Sequence, residues 1–403
     1  MKVLFLTNEY PPHIYGGAGV HVSFLTRELA RTMPVEVRCF GDQRLKEGNL
    51  KVTGYEIDTS NFTCPKPLRS VFGAVRRCTD FNTTNIDADL VHCHTWYSHF
   101  GGILAKKNYG IPLVITVHSL EPLRPWKREQ LGGGYDFSLW VEKTALEMAD
   151  AIIAVSRETK SDIERLFNVD SARVHVIHNG IDLDQYQKVD STAALKRYGI
   201  DPDNPYLLFV GRITRQKGFQ HLLRAIQFMD RGFQIVLCAA APDTLQMAEE
   251  MKTAVDHAKA QRPGVIWINE MVDQTATREL YSHAAVFVCP SIYEPFGIIN
   301  LEAMACETAV VASAVGGIKE VVVDGETGFL VPLEQTKEES FEPANPDKFA
   351  RDLSVRVNQL MKNRQLRERF GKAGRRRVEE YFSWASIAQK TKALYETLIL
   401  RSA

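Results

Sequence analysis

The stretch Lys2-Val3-Leu4-Phe5-Leu6-Thr7, followed by Asn8-Glu9-Tyr10-Pro11-Pro12-His13-Ile14-Tyr15-Gly16-Gly17-Ala18-Gly19-Val20, decides the fold. Its first part is apolar at nearly every position rather than at alternate ones. Such a run marks a strand covered on both faces, as in a parallel sheet between helix layers. Its second part is polar, carries three glycines and leads into a segment of helical length. Strand, turn and helix in that order build doubly wound α/β sheets. The unit recurs at the apolar runs 35–40, 90–93, 112–117, 151–155 and 174–177, and a second series follows at 207–211, 234–238, 265–268, 286–289 and 309–312.

Between the two series lie His178-Asn179-Gly180-Ile181-Asp182 and a polar stretch with Asp201-Pro202-Asp203, both carrying turn signals. This predicts an α/β protein of two Rossmann-like, doubly wound domains facing across a cleft, 1–182 and 183–384, hinged near 179–184. Residues 334–346, acidic and with two prolines, read as an exposed loop. A length of 403 residues also suits two domains better than one. No solenoid-period repeat or low-complexity tract interrupts the pattern.

Lys plus Arg and Asp plus Glu balance at 49 each, so the charge gives no support for nucleic acid or an anionic membrane as partner. Any phosphate site must be built locally. The seven cysteines are scattered, odd in number and never spaced as CxxC, which fits a reducing compartment rather than a disulfide framework or structural zinc. The opening apolar run is too short for a signal peptide, and no later run approaches the ~20 apolar residues of a membrane span. A cytoplasmic location is expected, with the sequons at Asn61 and Asn82 as chance matches.

In doubly wound sheets ligands bind beyond the carboxyl ends of strands. After the first strand, Gly16, Gly17 and Gly19 permit close backbone approach, and the following helix start offers amides to an anion. The pattern is neither GxGxxG nor a Walker A sequence. After the run 207–211 come Arg212 and Lys217, two cations suited to a diphosphate leaving group. After the run 286–289 comes Ser291-Ile292-Tyr293-Glu294-Pro295-Phe296-Gly297-Ile298-Ile299-Asn300-Leu301-Glu302. Pro295 suits a first helical turn, with Gly297 and its neighbours turning amides toward phosphate. A helical rise then separates Glu294 and Glu302 by on the order of 12 Å, too far for a glycosidase pair, at roughly 5–10 Å. The spacing suits an acid on the sugar and another on the ribose of a sugar nucleotide.

His118 ends the run 112–117 and is placed in the cleft. His92, His94 and His99 raise the question of a metal, but they lack a paired carboxylate, and no metal is expected. Asp87-Ala88-Asp89 precedes its strand, the wrong end for a metal–diphosphate clamp.

Taken together these residues identify the chain as similar to the family 4 retaining glycosyltransferases of GT-B fold, over essentially its whole length. The segment from Glu294 to Glu302 resembles the family's E-x7-E motif. Asn8-Glu9-Tyr10-Pro11-Pro12 with Tyr15-Gly16-Gly17-Ala18-Gly19-Val20-His21, and Val117-His118-Ser119-Leu120-Glu121-Pro122-Leu123-Arg124-Pro125-Trp126 with Gly132-Gly133-Gly134-Tyr135, resemble the actinobacterial-type glycogen synthases. That subgroup includes enzymes making glycogen from ADP-glucose and enzymes making maltose 1-phosphate from ADP-glucose and glucose 1-phosphate. The resemblance implies that Glu294 holds the donor sugar and Glu302 the ribose, and that Arg212 and Lys217 bind the diphosphate. It implies that His118 meets the transferred sugar, that Phe296, Gly297 and Ile298 give backbone contacts, and that Gly16 and Gly17 close over phosphate or acceptor. His94 and Trp96 fall on the acceptor side, and the C-terminal helix, 385–403, returns to the first domain.

One departure is Ile14, where the common bacterial glycogen and starch synthases carry a lysine two residues before the paired glycines. The resemblance further implies retention by front-face attack, without an enzymic nucleophile; with Arg212, Lys217 and helix amides supplying the charge, no metal or other cofactor is expected. Three other readings stay open: another nucleotide-sugar-dependent glycosyl transfer of the same family, such as mannosylation, a sugar-nucleotide epimerase using His118 and Glu294, and a non-catalytic carbohydrate- or nucleotide-binding module.

Overall fold

A computed structural model describes residues 1–336 and 340–402. The chain divides into two compact units, residues 1–180 with 384–403, and residues 181–383. The first holds an eight-stranded sheet of β1 (Val3–Thr7), β2 (Val35–Phe40), β3 (Arg44–Glu47), β4 (Leu50–Tyr55), β5 (Leu90–His94), β6 (Leu113–Val117), β7 (Ala151–Ala154) and β8 (Val174–Val176). Its strand order is β3-β4-β2-β1-β5-β6-β7-β8, parallel throughout except for the antiparallel β3–β4 edge pair.

The second unit holds β9 (Tyr206–Arg212), β10 (Gln234–Ala240), β11 (Val265–Ile268), β12 (Val286–Cys289), β13 (Ala309–Ser313) and β14 (Gly328–Val331). Its six strands are all parallel, in the order β11-β10-β9-β12-β13-β14. Each expected apolar run is a strand, shifted by at most two residues at an end. The strands β3, β4 and β14 lie outside that reading.

Helix layers bury both faces of the inner strands. Val3, Leu4, Phe5 and Leu6 are at most 1% exposed, and each such side chain contributes about 1.5–3 kcal/mol of transfer free energy. The first core also includes Trp384, Ile387, Ala388, Leu394, Tyr395 and Leu398, from the C-terminal helix Trp384–Ser402. That helix is clamped by polar contacts too, because the Tyr395 hydroxyl lies 2.6 Å from His92 Nδ1. In the second unit Ile181 N–H donates to the Phe382 carbonyl at 2.8 Å, so the segment's entry and exit are joined. Of the loop at 334–346, residues 337–339 lie outside the described residues; beyond them the next helix starts at Pro346, capped by Asn345.

Strand order fixes where function belongs. In the first sheet β1 lies between β2 and β5; in the second, β9 lies between β10 and β12. Each is a point where the winding direction reverses, and helices diverge there to leave a crevice beyond the carboxyl ends.

Candidate active site

In the second unit the turn after β9 is joined to the loop after β12 through the backbone. Ile292 N–H donates to the Gln216 carbonyl at 2.9 Å. Gly218 permits this approach: its φ is +63°, and a Cβ there would lie 1.9 Å from the Pro290 carbonyl oxygen. The join delivers Lys217 to Glu294, with Nζ 2.6 Å from Oε2, and the Ser291 hydroxyl donates to the same oxygen at 3.2 Å. Burial works to lower the Lys217 pKa, but the charge of Glu294 and its hydrogen bond hold the ammonium above its ordinary value. Arg212, ending β9, donates through Nη2 to Asp243 Oδ1 at 2.6 Å. Asp243 follows β10, and its N–H donates to the Ile213 carbonyl at 3.2 Å. Two residues earlier Ala241 takes a left-handed φ of +50°, a strain that concentrates at functional sites.

The helix after this loop differs from expectation. It runs Ile298–Ala305, so Pro295 lies outside it, and Gly297 is its N-cap at φ +94° with no side-chain cap. Because residues 294–297 are not helical, the helical rise does not measure the Glu294–Glu302 separation. The first-turn amides of Ile298 and its neighbours remain a suitable anion seat. The Phe296 ring is 2% exposed and edge-on to Phe382 at 6.0 Å, so its side chain belongs to the interior. Glu302 sits one turn in and accepts from the Tyr281 hydroxyl at 3.0 Å.

In the first unit the carboxyl ends of β1, β5 and β6 gather imidazoles. His94 Nδ1 lies 3.0 Å from His118 Nε2. His21, on the helix Gly17–Ala30, lies 4.8 Å from His118 and 5.4 Å from His94 between ring centroids. His21 Nδ1 is 2.7 Å from Asn179 Oδ1. An amide oxygen only accepts, so Nδ1 carries the proton and Nε2 keeps its lone pair; that nitrogen is buried and unpartnered, as is His94 Nε2. Burial pushes His21 down to about 4. It pushes His94 and His118 well below the ordinary value too, helped by the neighbouring imidazoles. The cluster is therefore neutral at pH 7.

Among the described residues this trio is the group whose ligand atoms come together for a metal, within 4.8 Å of one another. It is not the set raised by sequence. His99 is fully enclosed, and His92 is held between Tyr395 and Thr116.

Two first-unit expectations need correction. The Trp96 ring is 5% exposed and packs with Val71, Ala74, Leu131, Tyr135 and Val141, so it builds core rather than meeting an acceptor. The Gly16 amide is already engaged: Glu9 Oε2 accepts from Gly16 N–H at 2.7 Å and from Tyr15 N–H at 2.8 Å. An internal carboxylate thus already uses these two amides, while Gly17 opens the helix. Sequence reading also missed Thr95, a β-branched residue at φ +65°, whose hydroxyl donates to Asn8 Oδ1 at 2.7 Å. The pair Asp87 and Asp89 is bound by Lys2, Asp89 accepting from the Lys2 N–H at 2.6 Å. No described helix is long and apolar enough to cross a membrane.

The family model described as Glycosyltransferase Family 4 matches residues 15–185, and that described as Glycosyl transferases group 1 matches residues 190–377. The alpha-maltose-1-phosphate synthase of Mycolicibacterium smegmatis is 47% identical over 403 residues, covering 98% of this chain and 99% of that protein. Its namesake in Mycobacterium tuberculosis is 45% identical over 399 residues, with coverage of 98% and 99%. Among solved structures, a sucrose-phosphate synthase from Thermosynechococcus elongatus aligns with a TM-score of 0.79 at 24% identity, covering 100% of both chains.

Proposed function

The chain belongs to glycosyltransferase family 4, in the subgroup of the alpha-maltose-1-phosphate synthases, and from that premise we propose that it transfers glucose from ADP-glucose to glucose 1-phosphate. It is a hexosyltransferase of GT-B fold; donor, acceptor and stereochemistry are our reading. The carrying observation is the ion pair Lys217–Glu294 beside Arg212, at the carboxyl ends of β9 and β12.

On this reading the diphosphate takes over Lys217 and Arg212 as partners, and the first-turn amides after Gly297 share its charge. Glu294, released from Lys217, accepts from the hydroxyls of the donor sugar, and Glu302 from those of the ribose. The bond from the anomeric carbon to the phosphate oxygen breaks as the acceptor 4-hydroxyl attacks from the same face, its proton passing to the departing phosphate. Configuration is retained and ADP leaves. The neutral imidazole of His118 supplies a hydrogen-bonding nitrogen for a sugar hydroxyl without adding charge, and His94, fully buried and so removed from direct contact, holds it through Nδ1. Positioning and charge stabilisation carry the rate. No metal enters this scheme, so a chelator should leave turnover unchanged. The scattered cysteines keep the cytoplasm as the proposed location.

A matrix of ADP-, UDP- and GDP-glucose against glucose 1-phosphate and glycogen, followed by nucleotide release, tests the proposal. Release of ADP only with glucose 1-phosphate supports it. Release with glycogen alone moves the assignment to glucan elongation, and a donor sugar epimerised in the absence of acceptor overturns it.

A further inference from the structure

We infer that Tyr281 is a positioning residue that holds Glu302 as a fixed acceptor for a pair of adjacent hydroxyls on the nucleoside; the inference rests on the proposed ribose role of Glu302. Tyr281 comes from the helix Gln274–His283 and is 0% exposed. A hydroxyl so buried needs a partner, and it donates to Glu302 Oε2 at 3.0 Å. Its ring is fixed edge-on against Phe287 of β12 at 5.4 Å, and its carbonyl accepts from the Thr308 hydroxyl at 2.6 Å, so the donor has little freedom to move. Tyr186, 8% exposed, lies beside the same carboxylate.

One anchored donor is enough to set the carboxylate. Burial raises the Glu302 pKa, and the hydrogen bond from Tyr281 opposes that rise. The hydroxyl uses one lone pair of Oε2 and fixes the rotation of the carboxylate, leaving the other lone pairs to accept from the ligand.

The test compares KM and kcat for ADP-glucose and 2′-deoxy-ADP-glucose in the full-length wild-type, Tyr281→Phe and Glu302→Ala proteins. Tyr281→Phe is expected to raise KM for the ribose donor about tenfold, the scale of one hydrogen bond to a charged group, with kcat within about twofold. KM for the deoxy donor should move much less, so that the preference for ribose shrinks. A loss of packing alone would raise KM for both donors alike, and that result overturns the inference. Should Tyr281→Phe fail to fold, Phe287→Leu, which loosens the Tyr281 ring and keeps its hydroxyl, decides: a narrowed ribose preference supports the inference and an unchanged one overturns it. If Glu302→Ala narrows the preference while Tyr281→Phe keeps it, Tyr281 is excluded and the role of Glu302 stands. If Glu302→Ala leaves the preference intact, the ribose assignment falls and this inference with it.

Discussion

At the carboxyl ends of β1 and β5 the protein gathers imidazoles that burial keeps uncharged; at those of β9 and β12 it gathers cations already matched to carboxylates. The sheets reverse winding in the same way, so topology chooses the place and not the chemistry. Neutral nitrogens suit hydroxyl groups, which need hydrogen bonds without a field. On the proposed function, stored ion pairs suit a diphosphate, because Lys217 and Arg212 are already held in position and need little rearrangement. The internal carboxylate Glu9 extends the contrast, since it makes the glycine turn of the first unit self-sufficient in negative charge.

The strongest way to break the comparison is to remove one member of the charged pair. Lys217→Ala and Glu294→Ala should each lower turnover by roughly 10²-fold or more, the scale of losing a charge-stabilising group. Near-wild-type turnover in both would show that the second unit's charges are structural. A second test asks whether the backbone join, rather than the ions, sets the geometry. Gly218→Ala places a side chain against the Pro290 carbonyl in a left-handed conformation, and should destabilise the second unit by about 3 kcal/mol. Calorimetry should show its transition moving down and the other staying.

The smallest effect sharpens the first unit's side. His21, His92, His94 and His118 all have folded pKa values below the ordinary one, so between the folded values and about 6.5 the unfolded chain binds more protons. Their contribution to stability is then complete above about pH 6.5 and is lost as the pH falls toward 4. Four of the five tryptophans, Trp96, Trp126, Trp140 and Trp384, lie in the first unit. In a Trp267→Phe background, thermal unfolding followed by tryptophan emission should therefore reach lower midpoints from pH 7 to 5. A flat midpoint would remove the case for neutral, buried imidazoles.

Sequence made the inner strands legible because both faces are buried, so every position had to be apolar. It did not reveal β3, whose residues Arg44, Lys46 and Glu47 sit exposed at an edge, nor β4, where exposed and buried residues alternate from Leu50 to Tyr55. At the site, Lys217 and Glu294 were visible as residue types at strand ends, but not as partners: their pairing depends on one carbonyl, that of Gln216, bonding across 76 residues to Ile292. Asp243 gave no motif to read, because its meaning comes from a bend at Ala241 that no residue preference announces. The Pro295 helix start was misread for a local reason, since the left-handed Gly297 ends the irregular segment and starts the helix later.

The last helix, Trp384–Ser402, carries a consequence for synthesis. Domains emerging from a ribosome ordinarily fold in order from the N-terminus. Here the first-made unit lacks Trp384, Ile387 and Tyr395 from its interior until the helix Trp384–Ser402 is translated. The later-made unit is complete at residue 383 and has its ends tied by Ile181 and Phe382. The nascent protein therefore matures back to front, and a premature stop after residue 383 would spare the second unit while leaving its partner unfinished.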